Sequence, residues 1–271
     1  MNAEEITKEL ERGVKDLLAS DRYKEYLDFM GKFHNYSVNN SILIFLQMPQ
    51  ATMVAGFVDW QKKFSRNVRK GEKSIKILAP VPHKIRKEIV NANGEKEEQE
   101  IKWNTFRPVS VFDISQTDGE KVPEICNDLS GSIEGYDDLI KRLAAVSPAK
   151  VDFENIKSAA KGYFSETENR IVVKAGMSEE QTVKTLVHEI AHSLLHGNGG
   201  EEKEAGRRTK EVQAESVAYT VCRMLGVNTD DYSFGYIAGW SEGQELKELN
   251  KSMETIRKTA NKIMEGLKDE N

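Results

Sequence analysis

The sequence predicts an α+β protein of two domains, on three observations. Helical periodicity dominates both ends of the 271-residue chain, short runs of strand character fill the stretch from Thr52 to Ile114, and a polar connector separates the two regions. That connector runs from Lys121 to Ile133 and holds Pro123, Asn127, Asp128, Gly131 and Ser132, residue types that favour turns and loops. The expected domains are residues 1–125 and 133–271, each long enough to bury a modest core.

The N-terminal elements follow in order. Leu10, Val14, Leu17, Leu18, Tyr26, Leu27 and Phe29 recur at near-helical intervals, which predicts a helical stretch from Ile6 to His34. Asn39, Asn40 and Ser41 can cap a second helix over Ile42–Leu46 that Pro49 closes. Strand character marks Thr52–Ala55, Ser74–Leu78 and Arg107–Ile114, and the Asn-Gly-rich stretch 91–96 predicts a hairpin turn.

Beyond the connector, Tyr136–Val146 reads as a helix, and Gly162–Ser165 with Arg170–Lys174 reads as a second hairpin. Two apolar helices follow, one around residues 183–195 ended by Gly197, the other from Glu211 to Leu225 ended by Gly226. Ile171–Lys174, just ahead of the first of them, is either an edge strand that accepts an extended peptide or an ordinary core strand. The segment from Gln244 to Leu267 is a charged amphipathic helix expected to pack on the domain.

Composition removes several classes. No run approaches the ~20 apolar residues of a membrane span, and the start Met-Asn-Ala-Glu-Glu lacks the basic and apolar segments of a secretory signal, so a cytoplasmic location is expected. Cys126 and Cys222 stand far apart in no paired motif, which gives no support to a disulfide framework or a cysteine-based zinc site. Cys222 falls inside an apolar helix and reads as core.

The chemistry sits in His188-Glu189-Ile190-Ala191-His192. On a helix, residues four apart project from one face on successive turns, so His188 and His192 can hold one ion, with Glu189 beside its open side. There a carboxylate can take a proton from water whose pKa a zinc ion lowers to roughly 7. Zinc needs a third protein ligand, and Glu211 and Glu215 are again four apart. Glu211 is preferred as ligand and Glu215 as the carboxylate that fixes the His188 tautomer, though the spacing alone leaves the two roles exchangeable. His196 continues the face one turn further, too far for a ligand but near enough to support one. Tyr163, Tyr219 and Tyr232 are candidate donors to a reaction intermediate. A nuclease using the metal is disfavoured, since phosphoryl transfer usually calls for carboxylate-bound magnesium or paired metals.

Charge is uneven despite a net −5. Lys62, Lys63, Arg66, Arg69, Lys70, Lys73, Lys76, Lys84, Arg86 and Lys87 face only Glu72 across residues 62–87. Phe57 and Trp60 stand just before this run, Phe64 lies within it, and Trp103 and Phe106 follow. Lysines along a backbone with rings stacked on bases are the means of holding a single strand; the competing reading is a solvated basic strand pair whose aromatics fill the core. The DNA-contact candidates are Lys62, Lys63, Arg66, Arg69, Lys70, Lys73, Trp60 and Phe64.

Tyr36-Ser37-Val38-Asn39-Asn40, Gln47–Thr52 with Ala55-Gly56-Phe57, Gly71–Ile75 with Ala79-Pro80, and Val111–Thr117 form several separated motifs. Together they resemble the ArdC-type antirestriction proteins, and the LtrC-like proteins of conjugative elements look similar. The resemblance implies an N-terminal domain that binds single-stranded DNA and a C-terminal zincin-like metallopeptidase domain acting on a protein or peptide not visible in the sequence. It implies His188, His192 and Glu211 as zinc ligands and Glu189 as catalytic base. The alternative within the same resemblance is a non-proteolytic single-strand protector whose metal site is structural or regulatory.

Overall fold

The structure, a computed structural model, describes residues 2–18, 22–33, 35–90, 96–122, 135–229, 234, 237–242 and 244–268. Residues 123–133 of the expected connector (121–133), Cys126, His34, Tyr232 and the tip of the first hairpin (91–95) lie outside the described residues. In order the elements are α1 (Ala3–Leu18), α2 (Arg22–Lys32), α3 (Val38–Gln47), β1 (Val54–Gly56), α4 (Phe57–Phe64), β2 (Arg66–Val68), β3 (Ile75–Val90), β4 (Lys96–Asp113) and β5 (Thr117–Gly119). Then come α5 (Tyr136–Val146), β6 (Lys150–Glu154), β7 (Gly162–Ser165), β8 (Arg170–Lys174), α6 (Glu179–His196), α7 (Arg207–Met224), α8 (Ile237–Ser241) and α9 (Leu246–Gly266). The architecture is α+β. The chain divides into two compact units, Met1–Arg12 with Leu43–Lys121, and Gly13–Ile42 with Val122–Asn271.

Two N-terminal details differ from the sequence reading. The expected single helix from Ile6 is two, α1 and α2. The cap of α3 lies earlier than Asn39–Ser41: Ser37 Oγ accepts from the Asn40 amide at 3.4 Å, and the three expected cap residues lie within the first turn.

The first unit is built on an antiparallel sheet of order β1-β4-β3. The β3–β4 pairing runs from Ile75 opposite Val111 to Val90 opposite Lys96, so three of the expected strand and turn segments are parts of one long hairpin. Side chains alternate between faces along each strand. Ile75, Ile77 and Val111 are therefore buried at its base, whereas Ile85, Ile101 and Trp103, on the same face farther out, are exposed. Buried Asp113 ties the sheet to its surroundings by accepting from the amides of Thr52 at 2.8 Å, Met53 at 3.1 Å and Ser115 at 2.9 Å.

The second unit packs α6 against α7, with α2 and α9 also against α7. Val183, Leu186, Val187 and Ile190 on α6 and Val212, Val217, Ala218 and Val221 on α7 are completely buried, the apolar periodicity read from the sequence. A three-stranded sheet of order β6-β8-β7 packs on α6, with β8 parallel to β6 and antiparallel to β7. Ile171–Lys174 is therefore a central strand, its Ile171, Val172 and Val173 fully buried, and the edge beside α6 belongs to β7. The closing helix buries Leu249, Met253, Ile256 and Ile263, as its amphipathic pattern requires.

Candidate metal centre and its surroundings

Local sequence explains why α6 can present a site. Ser178 Oγ caps its start by accepting from the Gln181 amide, and Glu179 and Glu180 lie in the first turn, where the helix dipole favours negative charge. Fourteen residues after Ser178, His192 sits on the same face as His188, and both look toward α7. Nε2 of His188 and Nε2 of His192 are 3.1 Å apart, and Oε2 of Glu211 lies 3.8 Å and 3.7 Å from them. A point equidistant from the three atoms is about 2.1 Å from each, within the roughly 2.0–2.2 Å of zinc bonds to imidazole and carboxylate. The donor set and its spacing fit a divalent ion.

The two acids of α7 take different places. Glu215 Oε2 lies 3.1 Å from Nδ1 of His188, on the side of the ring away from the cluster, while the Glu211 carboxylate joins the two Nε2 atoms. Burial lowers the His188 pKa, but the Glu215 hydrogen bond and the carboxylates of Glu189, Glu215 and Glu211 outweigh it and leave the value raised. Glu211 is held below the usual carboxylate range, first by the close approach of His192. Glu189 joins neither group. It is 7% exposed, and burial pushes its carboxyl up against the opposing pull of His188 and His192.

A cleft of about 630 Å³ opens over the cluster, lined by Gly162, Tyr163, Phe164, His188, Glu189, His192, Ala205, Arg207, Lys210 and Glu211. A second of about 430 Å³ shares Gly162, His188 and Glu189 with it and adds Lys161, Gln181, Lys184, Thr185 and Glu215. Together they trace a groove along edge strand β7. Gly162 is what lets that strand lie so close: a Cβ there would sit 2.6 Å from Thr185 Cγ2 and 3.3 Å from Glu189 Cγ. Phe164 supplies a backbone hydrogen bond to Glu189.

Of the tyrosines, Tyr163 lines the cleft and is 42% exposed, whereas Tyr219 is buried with its hydroxyl donating to Asp28 at 2.7 Å. Sequence reading missed Arg207 and Lys210 at the rim. Among the described residues neither side chain has an ion-pair partner, and Arg207, one turn before Glu211, is the only signal that could have drawn attention to them.

The DNA candidates separate into three kinds. Trp60 is a correction: it is fully buried, with its indole N–H donating to the Phe112 carbonyl at 2.8 Å, so its ring cannot stack on a base. Phe64 packs against it with ring centroids 5.1 Å apart. Arg66 is spent inside the fold, on Thr117 Oγ1 at 2.7 Å and on the carbonyls of Thr117, Gly119 and Glu120, and thereby clips β2 to β5. Arg69 pairs with Glu72 at 2.7 Å and Asp118 at 3.5 Å, and Lys63 with Asp59 at 3.0 Å. Lys62, Lys70 and Lys73 are exposed with no side-chain partner among the described residues. The exposed rings of this unit are Phe57, Trp103 and Phe106, at 48%, 47% and 58%.

Comparison with known proteins agrees with both halves. Residues 2–112 match the N-terminal domain of anti-restriction factor ArdC, and residues 107–218 match the family described as "Putative metallopeptidase family (DUF6782)". Uncharacterized protein pXO2-81 of Bacillus anthracis is 28% identical over 276 residues, 89% of this chain but 46% of its own length, so the chain spans about half of that curated relative. The metal-free crystal structure of antirestriction ArdC protein from R388 plasmid superposes with a TM-score of 0.57 at 18% identity, covering 92% of this chain and 98% of that one. Its Mn(II)-bound structure gives 0.56 at 18%, covering 87% and 86%. At that identity the likeness is one of fold. Residues 2–112 are thus similar to the N-terminal domain of the ArdC antirestriction type and residues 107–218 to the described metallopeptidase family, in a fold shared with ArdC.

Proposed function

We propose that the protein is a zinc-dependent peptidase coupled to a single-stranded-DNA-binding domain, serving a mobile element against restriction within the bacterial cytoplasm. The observation that carries the peptidase reading is the triangle of His188, His192 and Glu211 with buried Glu189 free beside it. Three protein donors leave a position for water or substrate, whereas a structural zinc site is closed by four, which counts against a purely structural metal. The ArdC of plasmid R388 is recorded with Mn(II). Two imidazoles and one carboxylate suit zinc, and the same set tolerates manganese.

Zinc held by these three residues supplies a Lewis acid that polarises a carbonyl and lowers the pKa of water to about 7. Glu189 takes a proton from the attacking water and delivers it to the leaving amide nitrogen as the C–N bond breaks. A burial-raised pKa suits that double task, because a group poised nearer neutrality both accepts and releases a proton. Edge strand β7 offers its free backbone to an extended peptide, placing the scissile bond over the cluster. Arg207 and Lys210 at the rim favour an acidic residue next to that bond. Of the candidate DNA contacts, the cations without a side-chain partner among the described residues are Lys62, Lys70 and Lys73, and the exposed rings near them that can stack are Phe57, Trp103 and Phe106 rather than Trp60.

The test incubates purified protein, with and without a chelator, against labelled single strands and against host lysate. Expected are strands bound but uncut and chelator-sensitive loss of lysate proteins, abolished in Glu189→Gln. Cleavage of DNA would overturn the peptidase reading.

A further inference from the structure

We propose that His196, Gln213 and Ser252 form a relay that holds His192 in the ring orientation and tautomer able to bind the metal; this rests on the metal-centre reading above. His192 turns Nε2 to the cluster and Nδ1 away from it, where Nδ1 of His196 lies 2.9 Å distant. His196 Nε2 is 3.0 Å from Gln213 Oε1, and Gln213 Nε2 donates to Ser252 Oγ at 3.3 Å. All three residues are buried, with exposures of 5%, 0% and 6%.

Proton counting from the metal outward fixes the polarity. Two facing Nδ1 atoms can share only one hydrogen. A ligand that gives its Nε2 lone pair carries its proton on Nδ1, so His192 donates and His196 accepts. The His196 proton is then on Nε2 and donates to the Gln213 carbonyl oxygen, which leaves the Gln213 amide to donate to Ser252. Each ring nitrogen of the two histidines that faces this path, and the Gln213 carbonyl oxygen, then has a partner of the opposite kind. The opposite polarity would place the His192 proton on Nε2 and deny its lone pair to an ion.

The two histidines are thus supported by unlike partners, His188 by the Glu215 carboxylate and His192 by a neutral chain. Glu189, Glu211 and Glu215 already place three carboxylates around one dication, and a neutral support for His192 adds no fourth. Ser252 also brings α9 into the centre, so the closing helix is a positioning element as well as packing.

Zinc dissociation constants of the full chain, measured by competition with a chromophoric chelator, test the relay alongside metal-free Tm. His196→Phe fills the same space without accepting a hydrogen bond and is expected to weaken zinc binding roughly 10–100-fold. Gln213→Met, one bond further out, is expected to weaken it by a smaller factor, and it carries the test if His196→Phe does not fold. A drop in metal-free Tm with zinc affinity unchanged would mean that these residues only pack, and would overturn the proposal. Wild-type protein that binds no zinc would instead overturn the metal centre itself.

Discussion

Glu211 and Glu215 are the sharpest test of the centre, because sequence spacing makes them equivalent and geometry does not. Glu211 reaches both Nε2 atoms, while Glu215 touches only the far side of His188. Glu215→Ala removes one charge-assisted hydrogen bond to a ligand, worth about 1.5–3 kcal/mol, or roughly 10–100-fold in zinc affinity. Glu215 is one-third exposed, which places the expectation at the lower end. Glu211→Ala removes a donor and should cost more than the roughly 100-fold ceiling of a residue that only orients one. At zinc equal to a hundred wild-type dissociation constants, the ion stabilises the fold by about 2.7 kcal/mol; after a 100-fold loss the gain falls to about 0.4 kcal/mol. Thermal unfolding with and without zinc reads this difference directly. Glu211 is more than half exposed, so metal-free Tm should stay near wild type. Zinc stabilisation that survives Glu211→Ala and vanishes in Glu215→Ala would exchange the two roles and refute the assignment.

Three further outcomes follow from the same geometry. Glu189→Gln should bind zinc as wild type does, while chelator-sensitive hydrolysis falls by about 10²–10⁴-fold, measured on whichever lysate protein the wild type removes. Replacing Lys62, Lys70 and Lys73 by Glu should weaken binding to labelled single strands and flatten its salt dependence by about 0.7 in log–log slope per lost phosphate contact, with zinc affinity unchanged. Because the metal-free His188 pKa is raised, its carboxylate contacts contribute stability that is present below the usual value of about 6.5 and is lost as pH rises through the raised one. Zinc needs the neutral ring, so its affinity should run the other way, rising with pH through that value and then levelling, as a pH series of zinc titrations would record.

The legible parts were those written in local spacing. His188 and His192 need only a helix between them to meet, and the apolar spacing of residues 183–195 with Gly197 as its stop announces that helix. Glu211 against Glu215 could not be resolved this way, because the choice depends on how α7 lies against α6. Trp60 was misread because its basic neighbours are local while its burial is not: α4 is amphipathic, and its inward face became visible only with Phe112 behind it. Whether Ile171–Lys174 is an edge or a core strand could not be decided locally for the same kind of reason. Lys150–Glu154 went unrecognised as a strand, and its parallel pairing is what encloses β8 and leaves β7 outermost.

An open strand that welcomes a peptide would as readily welcome its own kind, and β7 is built to refuse. It is only four residues long, and Lys161 and Glu166 flank its two ends, the latter anchored to Lys203 at 2.6 Å. Two copies brought rim to rim would find only a four-residue edge to pair, too few amides to zip together. Lengthening this rim should therefore turn a receptive surface into a cohesive one, visible as concentration-dependent assembly.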